Sequence, residues 1–220
     1  FVTLRDERQG KAARDFVPGR ATWTAIGVHV LLAVAYTTPW DNYLVATGVW
    51  YYQPELISGI LLGWVPIEEY TFFVLETILV GLWWWFLARR LALPGGSQPG
   101  SSIRVISTAS LGAAWVASVA VVLSGWQPGT YLSLILAWAL PPIALQLAFG
   151  ADILWRHRRL VAAGILPVFL YLSAMDSLAI TSGTWTIDPA QSLGIFIGRL
   201  PAEEAVFFLS TVTLICFGMT

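Results

Sequence analysis

The chain has 220 residues, 57% of them hydrophobic and 11% charged, with a formal net charge of -1 and a mean hydropathy of +0.70. That balance lies outside the range of soluble globular domains and marks an integral membrane protein, with no nucleic-acid partner expected. The charges are few and clustered, so their positions carry more than their sum. The single Cys216 sits in an apolar run, cannot form an internal disulfide, and reads as a packing residue.

The first twenty residues, FVTLRDERQGKAARDFVPGR, are polar and basic, without an initiator Met or a signal-peptide pattern. The chain therefore reads as beginning inside a longer protein. Six apolar runs follow, near 22–39, 66–88, 105–124, 130–152, 160–180 and 199–219. Each is long enough to cross a hydrocarbon layer of about 30 Å, which takes roughly 20 helical residues. They lack the period-2 alternation of barrel strands, so the expected fold is an all-α transmembrane bundle.

Basic residues fix the expected orientation. Arg5, Arg8, Lys11, Arg14 and Arg20 precede the first run, Arg89, Arg90 and Arg104 bracket one connection, and Arg156, Arg158 and Arg159 fill another. All fall on one side of a six-span alternation. The opposite connections, DNYLVATGVWYYQPELISG, SGWQPGT and SGTWTIDPAQ, contain no Lys or Arg, and only Arg199 departs from the pattern. The positive-inside rule puts the basic side in the cytoplasm of a multi-pass cell-membrane protein. WWWF at 83–86, just before Arg89 and Arg90, reads as an interfacial aromatic belt.

An offset of 135 residues aligns 41–81 with 176–216 without a gap, with thirteen of forty-one positions identical. Chance would give about two or three, so the chain carries an internal duplication. Both copies start on the same side, which relates them by an axis along the membrane normal. The expected organisation is a first repeat over 1–90 lacking its leading helix, a linker helix within 91–128, and a second repeat over 129–220. These are two tandem three-helix repeats in parallel orientation, with seven spans in the parent.

The duplication singles out the residues that carry chemistry. Pro66, Glu68 and Glu69 in GWVPIEEY recur as Pro201, Glu203 and Glu204 in GRLPAEEA. Proline and acids suit the first turn of a helix, where the missing N–H costs nothing and the dipole favours negative charge. Surface helix starts would need nothing more. However, each copy also has an Asp 27 residues upstream, Asp41 and Asp176, at the expected end of the preceding span. The topology brings these six carboxyls together in two groups, with Glu68 and Glu69 expected to face Glu203 and Glu204. Intramembrane acids cost about 2.5–3.5 kcal/mol each on insertion scales and are functional candidates by default. Clustered in low dielectric, some are expected to hold a proton near neutral pH, ready to donate to a substrate arriving from lipid. Glu76, two turns beyond Glu68, is expected to face the same cavity, although its repeat mate is Thr211.

Trp50, Trp185, Phe72, Phe73, Phe207 and Phe208 recur beside the acids. Packing between repeats accounts for them as well as the functional alternative does, in which their π faces stabilise developing positive charge. His29 reads as a polar residue satisfied within the bundle and His157 as part of the basic RHRR loop. The sole lysine, Lys11, lies outside every run, which leaves no site for a retinal Schiff base. Phosphate-binding glycine turns and Cys/His metal spacings are absent from the sequence, so no cofactor or metal is expected.

With the ends PWDN and AMDS, the stretches GVWYYQP and GTWTIDP, and the doubled GWVPIEEYTFF and GRLPAEEAVFF, the chain resembles the small integral-membrane lycopene cyclases of bacteria, archaea and fungi. These lack flavin and occur as two short subunits or one fused chain. The resemblance covers about 22–219 and departs from the family in the missing leading helix. It implies proton-initiated, non-redox closure of the ψ ends of lycopene to β-ionone rings. Glu68, Glu69, Glu203 and Glu204 would supply acid and base, Asp41 and Asp176 would set their protonation, and Pro66, Pro201 and the paired aromatics would shape the substrate site. It also implies a lipid-soluble carotenoid as partner, within membrane lipid, and leaves open a homo-oligomer or a fusion with other carotenoid enzymes. Three alternatives stand beside it: a cyclase for longer C50-type carotenoids, a proton-coupled transporter, and a non-catalytic subunit or domain. Against the transporter, the acids cluster near one side of the membrane, although Pro141 and Pro142 supply a midplane break.

Overall fold

The computed structural model describes residues 18–91 and 102–220; Arg5, Arg8, Lys11 and Arg14 lie outside the described residues. Six helices are long and apolar enough to cross a membrane. They are α1 (Arg20–Ala46), α2 (Ile67–Ala88), α3 (Ser102–Ser124), α4 (Thr130–Arg156), α5 (Arg158–Ser182) and α6 (Ala202–Met219). Much of their outer surface is exposed apolar side chain, including Leu31, Val105, Leu123 and Phe149. An apolar exterior of this extent suits lipid as solvent, where a soluble domain would aggregate.

Between α1 and α2 the chain forms β1 (Trp50–Tyr52), a 3-10 turn at Pro54–Leu56, and a minimal hairpin of β2 (Leu61–Leu62) with β3 (Val65–Pro66). The same series recurs between α5 and α6, as β4 (Trp185–Ile187), a 3-10 turn at Pro189–Gln191, and β5 (Phe196–Ile197) with β6 (Leu200–Pro201). The two copies meet through β1 and β4, which pair antiparallel in the register Trp50–Ile187, Tyr51–Thr186 and Tyr52–Trp185. Tyr51 and Thr186 are repeat mates facing each other, and the flanking pairs exchange roles across them. This is the pairing that two copies related by a local two-fold must make.

Two boundaries differ from expectation. The first helix continues through Pro39 to Ala46, so Asp41 lies within it and not at its end. Proline lacks the N–H that would close one turn, but the helix resumes beyond it and Asn42 Nδ2 donates to Thr38 O at 2.9 Å. Pro66 and Pro201 sit one position before α2 and α6 as extended N-cap residues, because each is also the last residue of a hairpin strand. Helix α4 carries Pro141, Pro142 and a non-helical Gly150.

The core lies where α4, α5 and α6 pack together, around Tyr131, Ile135, Ala139, Val212 and Cys216. On the flank, α3 packs along α4, joined by Arg104 Nε to Asp152 Oδ1 at 2.6 Å. At the opposite end of the bundle from β1 and β4, Trp83 Nε1 donates to Ala163 O and Trp84 Nε1 to Thr220 Oγ1. Arg89 and Arg90 lie over Trp85 and Phe86. The WWWF stretch thus divides between packing inward and stacking on cations.

Candidate active site

Adjacent residues on a helix point about 100° apart, so the two acids of each pair cannot face the same way. At the start of α2, Glu68 Oε1 accepts the backbone N–H of Ser58 at 2.6 Å. At the start of α6, Glu203 Oε1 accepts the N–H of Leu193 at 2.7 Å and the hydroxyl of Ser192 at 3.0 Å. Ser58 and Leu193 are repeat mates, so the first acid of each pair ties its helix to the loop of its own repeat. Glu203 is fully buried in this role. It does not face the cavity as the sequence suggested, whereas Glu68 stays exposed at the cavity rim.

The second acid of each pair points the other way. Glu69 and Glu204 line one cavity of about 280 Å³, with Asp176, Trp50, Tyr52, Trp185, Phe72, Phe207 and Phe208 among its walls. Glu204 is buried and held by Tyr131, whose hydroxyl donates to Oε1 at 2.5 Å. Glu69 is partly open to the cavity. Asp176 is buried in the cavity wall and Asp41 is buried close by. Neither makes a hydrogen bond among the described residues. Such groups are costly to bury unpaired.

Tyr52, at the end of β1, completes the polar set. Its hydroxyl is buried without a partner among the described residues. Burial, reinforced by Glu69, Asp41 and Glu204, raises its phenol above the ordinary tyrosine range, so it remains a neutral O–H donor.

The rest of the wall is aromatic. Phe72 of the first repeat and Phe208 of the second approach edge to face at 6.0 Å. Phe207 stacks on Trp40 at 5.7 Å, and Trp40 stacks on Trp138 at 4.8 Å. Two expected members lie elsewhere: Phe73 and Glu76 line a second cavity deeper in the bundle, because Glu76, two turns into α2, lies well below the helix start. Pro66 and Pro201 are buried at the helix starts and do not line the cavity.

Sequence reasoning missed Tyr131, Tyr52, Trp40 and Trp138. Tyr52 stands in the GVWYYQP stretch, but its repeat mate is Ile187, so a search for matched pairs passes over it. Among the described residues no group of His, Cys, Asp and Glu is arranged to hold a metal ion. The arrangement offers the carboxyls of Glu69, Glu204 and Asp176 on one small cavity with Glu68 at its rim, the Tyr52 phenol among them, and aromatic side chains around the remaining surface. Such a set of carboxyls can donate a proton at one point and take one back at another.

Comparisons with known proteins identify the family. The lycopene cyclase family model matches residues 13–87 and 128–220, both repeats but not α3. The chain is 40% identical over 201 residues to a lycopene beta-cyclase of Halobacterium salinarum, covering 91% of this chain and 82% of that one. It is 37% identical to the bifunctional lycopene cyclase/phytoene synthase of Podospora anserina, again over 91% of this chain but only 35% of the longer fungal protein. Its identity to the protein of the same description in Neurospora crassa is 37%, over 86% of this chain and 33% of that one. No solved structure matches the chain. With two acid-bearing repeats closing on one aromatic cavity and a family model spanning both, the chain belongs to the lycopene cyclase family.

Proposed function

We propose that the chain is a lycopene β-cyclase that works by acid–base chemistry alone, with Glu69 and Glu204 as the proton-transferring pair. The observation that carries this is that these repeat mates both line one aromatic-walled cavity, while Glu203 is turned to the Leu193 loop and Glu68, at the rim, is tied to the Ser58 N–H. A ψ end of lycopene enters from the bilayer. One of the two carboxylic acids protonates the terminal double bond, leaving a tertiary cation. The neighbouring double bond attacks that cation, forms the new carbon–carbon bond of a six-membered ring and passes the positive charge to a ring carbon. The other carboxylate removes a proton from the carbon beside it, leaving the ring double bond of a β end. One proton enters and one leaves, so the product is an isomer of the substrate and no electrons are exchanged.

The surrounding residues suit this sequence. Phe72, Phe207, Phe208, Trp50 and Trp185 present π faces to a passing cation and keep out water that would trap it as an alcohol. The Tyr131 hydroxyl holds one Glu204 oxygen, fixing the direction of the other. Asp41, Asp176 and Tyr52 surround the pair and set how many protons the site carries.

The basic connections are proposed to face the cytoplasm, which places the cavity toward the opposite face, with the two repeats parallel and α3 as their linker. Association with other carotenoid enzymes is proposed from the fungal relatives, whose descriptions join a cyclase to a phytoene synthase. Expression of the chain in lycopene-accumulating cells, followed by chromatography of the pigments, tests the reading. Cyclic carotenes should appear and lycopene fall. Unchanged lycopene alongside well-folded membrane-inserted protein contradicts it.

A further inference from the structure

A second cavity, of about 350 Å³, lies deeper in the bundle between α1, α2, α4 and α6. It meets the acid cavity only at Phe207, which lines both. Most of its wall is apolar, but one side is polar. Glu76 is buried there and accepts the Thr211 hydroxyl at 2.6 Å. These two are repeat mates, so a carboxyl and a hydroxyl stand at equivalent positions across the local two-fold. Beside them Gln146 Nε2 donates to Leu214 O at 2.9 Å, and its Oε1 is buried with no partner among the described residues. Two acceptor groups thus converge in an apolar cavity at mid-bundle depth.

An all-hydrocarbon chain leaves Gln146 Oε1 unanswered. A buried acceptor without a donor costs about 1–3 kcal/mol, and an intramembrane acid marks a functional site by default. The cavity rim includes Leu32, Tyr36 and Leu145, all exposed on the lipid-facing side, so its occupant enters sideways from the bilayer.

We propose that this cavity is a second binding site, distinct from the acid cavity, for a lipid-soluble isoprenoid that ends in a hydroxyl group. The hydroxyl donates to Gln146 Oε1 or Glu76, and the hydrocarbon body fills the space walled by Phe73, Trp138, Phe207 and Ile215. The site does not depend on cyclisation and is tested by binding alone.

Purified protein in detergent is titrated with all-trans-retinol and, separately, with retinyl methyl ether. The ether has the same polyene body and no donor. Energy transfer from tryptophan, including Trp138 in the cavity wall, reports occupancy. Wild-type protein should bind retinol about tenfold more tightly than the ether. Gln146→Leu and Glu76→Gln should each shrink that preference, and together abolish it, without weakening the ether. Circular dichroism checks the helices, and Glu76→Gln preserves an acceptor for Thr211, so a folded variant is available. Equal affinity for the two probes in wild-type protein, or a preference that survives both replacements, overturns the proposal.

Discussion

The two repeats hold the same acids in different settings. In the second, Glu203 is fully buried and bonded twice, and Glu204 is buried and clamped by Tyr131 from α4. In the first, Glu68 is exposed with one loop bond, and Glu69 opens onto the cavity near the unpartnered Tyr52. In the second repeat the clamp comes from α4, whose Tyr131 donates to Glu204. Duplication therefore supplied two equivalent acids that stand in unequal settings, Glu204 clamped by a phenol and Glu69 partly open to the cavity. For a reaction that gives a proton at one point and removes it at another, that inequality is useful.

The comparison can be broken from either side. Glu204→Gln has the largest expected effect, a fall in cyclised carotenoid of about 100-fold or more, read by chromatography of pigments from lycopene-accumulating cells. Tyr131→Phe leaves Glu204 in place without its clamp, and a fall of about tenfold is expected with protein level unchanged. Loss of the loop-tying acids should register as stability. Glu203→Ala, which strands a buried N–H and hydroxyl, should cost about 2–3 kcal/mol, and the exposed Glu68→Ala should lower the melting temperature far less. Thermal unfolding in detergent compares them, and equal shifts would remove the asymmetry. The smallest contrast lies at the hairpin turns. Gly63 and Gly198 both have positive φ, 72° and 67°, so alanine strains either by about 1 kcal/mol. At Gly63 a Cβ would also come within 2.2 Å of Asn42 Oδ1, whereas at Gly198 it meets open space. Asn42 Oδ1 accepts the Trp64 N–H at 2.7 Å, so Gly63→Ala should lower the melting temperature more than Gly198→Ala.

The parts of this architecture that depend on composition and periodicity could be read from the chain. Six apolar runs, the 135-residue offset and the doubled Pro-x-Glu-Glu required no knowledge of contacts, and the helices lie where the runs are. What stayed hidden depends on rotation and long-range approach. Glu68 and Glu69 are chemically identical neighbours, and only the position of the Ser58 loop decides which one it binds. Tyr131 reaches Glu204 across 73 residues of sequence from within an ordinary apolar stretch, YLSLILAW, with no repeat mate to flag it. Glu76 and Thr211 were visible as a mismatch in the duplication. Their hydrogen bond was not, because the mismatch alone does not say that the two positions meet across the local two-fold.

We propose that each helix start carries one structural acid and one reactive acid. The most direct test is the yield of cyclic carotenoid from Glu68→Gln against Glu69→Gln, matched for membrane-inserted protein in lycopene-accumulating cells. The expected result is near wild-type cyclisation for Glu68→Gln and uncyclised lycopene for Glu69→Gln. Equal loss in the two variants, or cyclisation that persists in Glu69→Gln, would contradict it.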